Sequence, residues 1–486
     1  MGQINTNRTF LETKRETIHG DGGADVSAGA TLNPIADLGV IAALVQPTGP
    51  RLLKITVTDG DVSINAFQID AIGTDPDGNP VTQQFLFAGG LIQTGTAKFS
   101  GITSITVTSV VGEGAGDTLA VSWVSPAMLI PILDGDYSVG LDDPLREQQH
   151  VVGDQDSQYM VQDVRNLGGD LKVGMWPHLS RYLMDLAAVR VGGEVGSFAA
   201  RWVIPGVETR LHKGLKVDRL TIEGNNGGDI TASMGLIGLW EETEGVAAYP
   251  GSYVIPAINS LLFKNARFIV SLDAGASFGN RIQPVGVESF SVSLMNGLKI
   301  GPAIEDRINA YKDGRPEFIT AGRRKVDLRY QAAFDRLAYS TMQRNRLRTQ
   351  FKLVGAHQGY STYATVAAGP YAAGANVNIQ VDSSAGFAVG EYVYLDNAGT
   401  TNLPSVGRVS VIPDGTHLTI ATLDEAVATA DHVFHAGIEI KTGPALVQNS
   451  TPDKPFDDFL KVTVNAQIFS GGSDPLPYKV LDIALP

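Results

Sequence analysis

A serine between glycines is the first candidate for chemistry in this sequence. Gly275-Ala-Ser-Phe-Gly279 has the GxSxG spacing of a hydrolase elbow, in which Ser277 would be the nucleophile. That motif requires a helix directly after the serine, because the turn into the helix aims the hydroxyl and supplies an oxyanion donor. Here Asn280 to Pro284 follows, and the next clear pattern is a strand. The sequence therefore predicts a glycine-rich hairpin tip in place of a nucleophile.

A second glycine cluster, Gly112-Glu-Gly-Ala-Gly116, superficially suggests a phosphate-binding loop. Such a loop needs a helix N-terminus after the glycines, whose unpaired amides hold the phosphate. The residues that follow, DTLAVSWV, alternate between polar and apolar as a strand does. The cluster is therefore predicted to be a hairpin turn.

Two further motifs have the residue types of metal ligands. His432 and His435 form an HxxH pair, but the glutamate of HExxH is missing and the flanking residues favour a strand, on which the two rings diverge. Asp75 to Asn79 is dense in oxygen ligands, but the twelfth position of a calcium loop would be Leu86. The chain has no cysteine, which removes thiolate chemistry. The sequence therefore predicts no catalytic residue, cofactor or metal, and a protein that is not an enzyme.

The elements that would position any site contain a repeat that aligns without a gap. Its apolar strand positions are Leu171, Val173 and Met175 in one copy and Val326, Leu328 and Tyr330 in the other. Helical spacing follows at Leu179, Tyr182, Leu183 and Leu186, and at Phe334, Leu337, Ala338 and Thr341. Both 326 − 171 and 334 − 179 give an offset of 155. A period of two marks a strand and this wider spacing marks an amphipathic helix, so the pattern predicts one small strand-plus-helix unit present twice.

Composition predicts a mainly β protein of several domains. The chain has 486 residues, only 18% charged, with 55 Gly and 24 Pro. Short runs of Val, Ile and Thr broken by Gly, Asn, Asp and Pro are typical of β-rich folds with frequent reversals. The apolar stretch Leu38 to Val45 is too short to cross a membrane, and the N-terminal residues lack the apolar segment of a signal peptide. No membrane association is therefore predicted.

The charge distribution argues against a general nucleic-acid binder. The net charge is −14, whereas affinity for DNA comes largely from neutralising phosphates. Gly322 to Lys352 nevertheless contains nine Lys or Arg against two acids. An acidic molecule with one basic strip is arranged to pair with copies of itself. A solvated basic face without a partner is the alternative on sequence alone.

The pass along the chain predicts one scaffold that two β modules interrupt. Residues 1–23 form an N-terminal arm, 24–125 an inserted β-sandwich module, and 126–360 the scaffold with the first unit and the start of the second. Residues 361–435 form a second inserted β module and 436–486 the end of the scaffold. The segment from Trp240 to Ser260 has no periodicity, so it is predicted to be a long loop with a functional role.

Once the insertions are set aside, residues 1–23, 126–359 and 436–486 resemble a long-tailed bacteriophage tail tube protein of the two-copy type. The pieces that carry the resemblance follow in chain order: FLETKRET, RNLGGDLKVGMWPHLSRYLMDLA, GLKVDRLTIEGNNGGDITASMGLIG, VESFSVSLMNGLKI, TAGRRKVDLRYQAAFDRLAY and DDFLKVTVNAQIF. The expected fold is mainly β, a duplicated tail-tube β-sheet or barrel unit with one short helix per copy plus two inserted β-sandwich-like modules. The modules depart from a minimal tube protein, which leaves open a tube-like tail terminator or distal tail ring.

The resemblance implies a structural virion protein whose sheets join those of neighbouring copies around a channel. Six units usually make a ring, so a chain with two units would form trimeric, pseudo-sixfold rings, with hexameric rings as the alternative. The rings would stack into a hollow tube, contact other tail proteins, and pass phage DNA through an acidic lumen without binding it. The expected location is the tail of the virion, after assembly in the host cytoplasm.

Two sets of residues are candidates for assembly contacts. Subunit-interface candidates come from the basic strip, namely Arg323, Arg324, Arg346, Arg348 and Lys352. Ring-stacking candidates come from the predicted long loop, namely Trp240, Tyr249 and Tyr253. An alternative of another class is a β-rich protein that binds carbohydrate or a host surface through its inserted modules. Clustered exposed aromatics would mark such a protein, and the chain has only four Trp.

Overall fold

The structure is a computed structural model that describes most of the chain. The described residues are 10–15, 27–31, 51–75, 80–99, 101–112, 114, 116–124, 128–130, 136–142, 145–148, 159–162, 166–188, 190–191, 194–204, 208–243, 261–271, 281–282, 286–302, 316–333, 343, 346, 348–356, 363–396, 403–435, 437–453, 461–468 and 478–480.

The described residues form 36 strands and one α-helix. The first twelve strands are β1 (Phe10–Arg15), β2 (Ser27–Thr31), β3 (Arg51–Thr58), β4 (Ala66–Thr74), β5 (Pro80–Leu86), β6 (Ile92–Phe99), β7 (Gly101–Val111), β8 (Thr118–Val124), β9 (Met128–Ile130), β10 (Gly140–Asp142), β11 (Leu145–Gln148) and β12 (Tyr159–Gln162). The next group is β13 (Asn166–Gly174), helix α1 (Pro177–Ala188), β14 (Arg190–Val191), β15 (Glu194–Val195), β16 (Phe198–Ile204), β17 (Glu208–Asn225), β18 (Thr231–Gly238), β19 (Trp240–Thr243), β20 (Ala266–Ser271), β21 (Arg281–Ile282), β22 (Ser289–Met295), β23 (Lys299–Pro302) and β24 (Pro316–Thr320). The last group is β25 (Lys325–Ala333), β26 (Arg348–Ala356), β27 (Tyr363–Thr365), β28 (Gly374–Gln380), β29 (Tyr392–Asp396), β30 (Ser405–Asp414), β31 (His417–Leu423), β32 (His432–Phe434), β33 (Gly437–Lys441), β34 (Ala445–Asp453), β35 (Lys461–Ile468) and β36 (Tyr478–Val480).

The mainly β prediction is confirmed, and the first strand-then-helix pattern folds as its spacing predicts. The alternating residues around Leu171 lie in β13, and Pro177 is the first residue of α1. Proline suits that position because the amide it lacks would have no partner in the first turn. In the second pattern Val326 lies in β25. The helical spacing at 334–341 lies outside the described residues.

One antiparallel sheet of eight strands runs through the scaffold. Its order is β10, β13, β18, β17, β22, β25, β35 and β34. The apolar residues that alternate along these strands face a single core, which also receives helix α1. Stacked and tilted aromatic rings occupy part of that core, with the centroids of Phe268 and Tyr330 4.9 Å apart. Burial of this face fixes the register, since a slip of one residue would expose the whole apolar set.

A second layer closes the scaffold into a barrel. In the first half, β1 pairs with both β9 and β16, and the beginning of β17 pairs with β16 and β19. In the second half, β20 pairs with both β21 and β26, and β33 pairs with β26 and β36. The two halves of the scaffold therefore carry matching sets of strand pairings.

Matching β-bulges fix the correspondence between the halves. The pairing of β17 with β18 shifts register between Val217 and Arg219, and that of β34 with β35 shifts between Val447 and Asn449. Both 447 − 217 and 449 − 219 give 230. The same difference relates the residues opposite the bulges, because Leu236 faces Val217 and Ala466 faces Val447.

The pairings place the two repeat strands at an offset different from the one that the sequence predicts. Leu171 on β13 opposes Met234, and Tyr330 on β25 opposes Val464, which lies 464 − 234 = 230 residues after Met234. Leu171 therefore corresponds to Tyr330, an offset of 330 − 171 = 159 rather than 155. Alternation alone cannot detect this difference, because a shift of an even number of residues leaves every side chain on the same face of the sheet.

Strands β2 to β8 form a sandwich with its own core, referred to below as the N-terminal sandwich. Its sheets have the orders β2-β8-β3-β6 and β5-β4-β7, and they share one apolar cluster. The glycine cluster from Gly112 to Gly116 is followed by strand β8, but the prediction of a hairpin there is wrong. Strand β7 pairs with β4 in one sheet and β8 with β3 in the other. The cluster therefore crosses between the sheets.

Strands β27 to β32 form a six-stranded sheet, referred to below as the C-terminal module. One side of this sheet has a core of its own. The other side packs Tyr394 and Phe434 against Ile269 and Val354 of the scaffold. Those two scaffold residues point away from the scaffold core that their neighbours Phe268 and Leu353 enter. The C-terminal module therefore covers the outer side of the β20 and β26 layer.

The two inserted groups of strands enter the scaffold at different hairpins. The N-terminal sandwich lies between β1 and β9, whereas the matching pair β20 and β21 is joined by a short segment. The C-terminal module lies between β26 and β33, whereas the matching β16 and β17 are separated only by residues 205–207. An ion pair of 2.8 Å between Arg408 and Asp75 joins the two insertions. The exact domain boundaries given above stay a prediction.

Candidate assembly surfaces

The side of the eight-stranded sheet that faces away from the core is polar. Where burial is described and outside the bulges, buried residues of its strands alternate with half-buried or exposed ones. Those on this polar face include Asp170, Lys172, Arg219, Thr221, Glu223, Thr231, Ser233, Ser291, Ser293, Lys325, Asp327, Arg329, Gln331, Lys461, Thr463, Asn465 and Gln467. Short hydroxyl and amide side chains therefore separate the charges.

Most of the charges on the polar face are matched by a neighbour of opposite sign. Lys172 lies 3.7 Å from Glu223, and Arg219 lies 3.7 Å from Asp170. Lys325 lies 2.7 Å from Asp327, and Lys461 lies 2.9 Å from Glu288 at the end of the sheet. Exposed pairs of this kind add little stability, but they leave the face almost neutral. The face is therefore polar without a strong field of either sign.

A buried asparagine joins the two halves of the scaffold where β17 meets β22. The Asn296 side chain is fully buried, and its Nδ2 donates to the carbonyl oxygens of Ala187 and Val217, each at 2.9 Å. Its Oδ1 accepts from Nε of Arg324 at 3.2 Å. The Asn296 backbone amide donates to the carbonyl oxygen of Asp218 at 2.7 Å. Strand β22 is thus tied to the end of α1 and to β17 by one side chain.

The outer edge of β34 is the end of the eight-stranded sheet, and a glutamine side chain contacts it. Nε2 of Gln343 donates to the carbonyl oxygen of Gln448 at 3.3 Å. Oε1 of Gln343 accepts from the backbone amide of Ser450 at 3.1 Å and from its hydroxyl at 2.7 Å. Among the described residues, no strand pairs with this edge beyond Leu446, or with the outer edge of β10 at the opposite end of the sheet.

The predicted basic strip is not one surface. Arg323, Arg346 and Arg348 are exposed. Arg324 instead points inward, with Nη2 donating to the Ala188 carbonyl oxygen at 2.6 Å. Lys352 is only 5% exposed and lies 2.7 Å from Glu439 and 3.2 Å from Asp424. Other cations of the segment, such as Arg329, lie on the polar face. Lys352 is therefore buried between Glu439 of the scaffold and Asp424 of the C-terminal module, and it joins the two.

The predicted ring-stacking residues fall largely outside the described chain. Tyr249 and Tyr253 are not among the described residues. Trp240 begins strand β19, which pairs with β17, so the prediction that the loop starts at Trp240 is wrong. The tetrapeptide WEET is too short for an alternating pattern to predict a strand. It is a strand because it pairs with the long β17.

The motifs considered for chemistry do not converge. Ser277 lies outside the described residues. The His432 ring packs on Tyr363 with centroids 4.0 Å apart, whereas His435 stacks on Phe387 and has Nδ1 3.0 Å from Glu391 Oε1. The two histidines therefore have separate neighbours within the C-terminal module. Asp75 is engaged in the ion pair with Arg408 described above.

A chain of three polar side chains crosses the scaffold core, and no sequence motif marks it. The hydroxyl of Tyr137 lies 2.6 Å from Nδ1 of His212, and His212 Nε2 lies 3.1 Å from Oε2 of Glu241. A carboxylate only accepts, so Nε2 carries the proton and Nδ1 accepts from the tyrosine hydroxyl. Burial raises the pKa of Tyr137, which keeps that hydroxyl protonated. Burial lowers the pKa of His212, and the Glu241 carboxylate opposes this shift.

The stability of the scaffold is expected to fall as the pH drops from about 7 to about 5, because His212 is held neutral. In the unfolded chain an imidazole titrates near ~6.5. Since burial lowers the folded pKa of His212, the unfolded state binds more protons below that pH and unfolding is favoured. Urea unfolding midpoints measured across this range should decline more steeply for the unchanged protein than for a His212→Gln variant. Equal slopes would contradict the assignment.

The fold and these surfaces define a mainly β scaffold protein with a broad polar sheet face and two inserted β groups. Residues 104–389, more than half of the chain, match the family model described as phage tail tube protein. The chain belongs to the phage tail tube protein family. No curated protein matches it. No helix within the described ranges is long and apolar enough to span a membrane.

Family membership makes the chain a structural component of the phage tail, and the family assembles with itself and with other tail proteins. The residues that mark its assembly surfaces were only partly visible in the sequence. Phe290, Val292 and Leu294 are buried at every second position of β22, and Asn296 is the next position in that series. A buried amide could therefore have been predicted there. Gln343 carries no such signal, because its role depends on a strand about a hundred residues later in the chain.

Proposed function

We propose that this chain is the tail tube subunit, which forms rings that stack into a hollow tube for the passage of phage DNA. The observation that carries the proposal is the eight-stranded sheet, whose one face is core and whose other face is polar and nearly neutral. A sheet of this kind can extend through its ends from one copy to the next, which removes exposed strand edges. We propose two tandem tube units per chain, supported by the matching pairings and bulges of the two halves.

The polar face of the sheet is the proposed lining of the lumen. The C-terminal module packs on the outer side of the other layer, so the scaffold core separates that module from the polar face. The lining then differs from the acidic channel that the resemblance implies. Most of its charges are paired, so DNA phosphates meet hydroxyls, amides and matched ions. Low adhesion would follow from the absence of a strong attractive field rather than from repulsion.

Rings of three chains are proposed because the resemblance implies six units per ring and each chain would supply two. Each half of the scaffold carries one insertion, but at a different hairpin. Around a ring of six units, those that carry the N-terminal sandwich would alternate with those that carry the C-terminal module. Such a ring has threefold symmetry and six similar sheet segments. Hexameric rings, a tail terminator and a distal tail ring are the alternatives within the same class. A carbohydrate-binding or host-surface protein is the alternative of another class. Assembly in the host cytoplasm is part of the proposal.

Electron microscopy of the concentrated, purified protein tests the function. Hollow striated tubes or threefold rings are the expected result, and isolated monomers at every concentration would contradict it.

Reversing two exposed charges is expected to reduce tube formation. Arg348 lies beside the outer edge of β34, since it pairs with Leu446 at the start of that strand. The Arg346 backbone amide donates at 3.2 Å to the carbonyl oxygen of Gln343, whose side chain contacts the same edge. Asp142 is the last residue of β10, at the opposite end of the same sheet, and another acid, Asp143, follows it in the sequence. An Arg346→Glu/Arg348→Glu variant should lower tube yield by about tenfold or more, because like charges across an interface cost several kcal/mol. Negative-stain counts measure the yield, with Lys54→Glu in the N-terminal sandwich as the control. Normal tubes from the double variant would refute the interface role.

A further inference from the structure

The two ends of the eight-stranded sheet are compatible edges, and the scaffold contains a template for joining them. Seven strand spacings separate β10 from β34, or about 34 Å along the sheet at ~4.8 Å each. Among the described residues of one chain, these two edges are not paired with each other. A second copy can present its β10 to the β34 of the first.

The template is the pairing of β17 with β22, where the first half of the scaffold meets the second. Thr221 opposes Ser293, and their hydroxyl oxygens lie 3.0 Å apart. The backbone amide of Asn296 donates to the carbonyl oxygen of Asp218. Because hydrogen-bonded and non-hydrogen-bonded pairs alternate in an antiparallel ladder, Thr221 and Ser293 form a non-hydrogen-bonded pair.

Because the two halves of the scaffold correspond residue by residue, the register of β17 with β22 predicts a register for β34 with β10. Strand β34 lies 230 residues after the matching part of β17, as the bulges show. Tyr137 opposes Leu171 and Phe290 opposes Tyr330, so β10 lies 290 − 137 = 153 residues before the matching part of β22. Tyr137 and Phe290 both enter the scaffold core, as equivalent residues should. The Thr221–Ser293 pair thus becomes 221 + 230 = 451 opposite 293 − 153 = 140, that is, Thr451 opposite Gly140.

Gln343 occupies the place where the neighbouring strand would bind. The Gln448 carbonyl oxygen, which receives Nε2 of Gln343, corresponds to that of Asp218, which receives the amide of Asn296. The Ser450 amide, which donates to Oε1 of Gln343, corresponds to that of Leu220 on the edge facing β22. In a single chain the glutamine amide thus satisfies one acceptor and one donor that a paired strand would otherwise satisfy.

We propose that β34 of one copy pairs antiparallel with β10 of a second copy, Thr451 opposite Gly140, and that the pairing strand displaces Gln343 from the edge. This inference rests on the proposed self-assembly of the chain and names the strands and register that perform it. Gln343 acts as a placeholder that covers the edge before assembly and competes with the incoming strand. The contact is head-to-tail, so it propagates around a ring until the ring closes.

Disulfide cross-linking tests the register, because the chain has no cysteine of its own. A Thr451→Cys/Gly140→Cys variant places two thiols at the proposed non-hydrogen-bonded pair, where facing Cα atoms lie within disulfide range. A Cβ at Gly140 would meet no atom within 4 Å. Assembled protein oxidised with glutathione disulfide is expected to give a ladder of covalent oligomers on a non-reducing gel, whereas dilute monomer gives none.

Two matched variants make the result decisive. Thr221→Cys/Ser293→Cys copies the pair within one chain and should form an intramolecular disulfide. Thr463→Cys/Gly140→Cys moves one thiol to the strand inside β34, since Thr463 opposes Thr451, and should form none. Tubes or rings that fail to cross-link through Thr451 and Gly140, while the internal pair does, would overturn the inference and leave the proposed function standing. Unmodified protein that never assembles would overturn both.

Gln343→Ala tests the placeholder separately. Without the competing amide, cross-linking of the Thr451 and Gly140 thiols should be several-fold faster at equal protein concentration. Slower cross-linking with normal folding would show that Gln343 belongs to the finished joint, which would overturn its role as a placeholder. Far-ultraviolet circular dichroism and the urea midpoint report whether the variant remains folded.

Discussion

A Lys352→Met variant is expected to lose about 3–5 kcal/mol of folding free energy, because it leaves the Glu439 carboxylate buried without its cation. Lys352 and Glu439 are 5% and 3% exposed, and their charged atoms lie 2.7 Å apart. Asp424 of the C-terminal module lies 3.2 Å from the same ammonium, so the loss should extend to the contact between module and scaffold. Urea unfolding monitored by fluorescence measures the change.

Two companion variants separate the buried charge from general effects of substitution. Arg348→Met removes an exposed cation from the same strand and should change stability by about 0.5 kcal/mol or less. Lys352→Met/Glu439→Leu removes both partners and should recover much of the loss, because replacing a whole buried pair is often tolerated. A Lys352→Met variant as stable as Arg348→Met would show that the pair is not buried in the folded protein.

Asn296→Ala is expected to destabilise the scaffold by about 2–4 kcal/mol, because it leaves buried hydrogen-bonding groups without partners. The carbonyl oxygens of Ala187 and Val217 would lose their donor, and Nε of Arg324 would lose its acceptor. These contacts join the second half of the scaffold to the first, so the two halves should also unfold with less cooperativity. Chemical denaturation followed by two probes, one in each half, measures both effects.

Asn265 provides a matched control. It is 1% exposed, and neither polar atom of its side chain has a hydrogen-bond partner within the described part of the chain. Asn265→Ala should therefore change stability by about 1 kcal/mol or less, since no bond is lost. Equal losses from the two alanine variants would mean that the hydrogen bonds of Asn296 contribute nothing beyond its packing.

The sequence predicted those parts of the fold that depend on local pattern. Alternation located β13 and β25, and the helical spacing that begins at Leu179 located α1. Such patterns are read within a few residues, and the burial of one face enforces them. The same reasoning excluded a helix after Gly112, because a strand pattern follows it.

The failures all depend on contacts between distant residues. The offset of the repeat strands differs from the predicted value because alternation is unchanged by an even shift. The prediction of a hairpin at Gly112 is wrong because tertiary packing decides the partner of β8, which is β3 rather than β7. Lys352 alternates as a surface residue would, yet a module that begins after it covers it. His212 and Glu241 lie on two strands and Tyr137 lies before a third, so no motif could have shown them.

The number of strands that each chain contributes sets the bore of the proposed tube. Eight strands from each of three chains would close a barrel of 24 strands, provided that the joint adds none. With ~4.8 Å between strands and a tilt of about 40°, its circumference is about 150 Å and its backbone diameter about 48 Å. Six chains would double that width to about 96 Å. The smaller bore confines a double helix more closely, so the inner diameter of the tube reports directly how many chains make a ring.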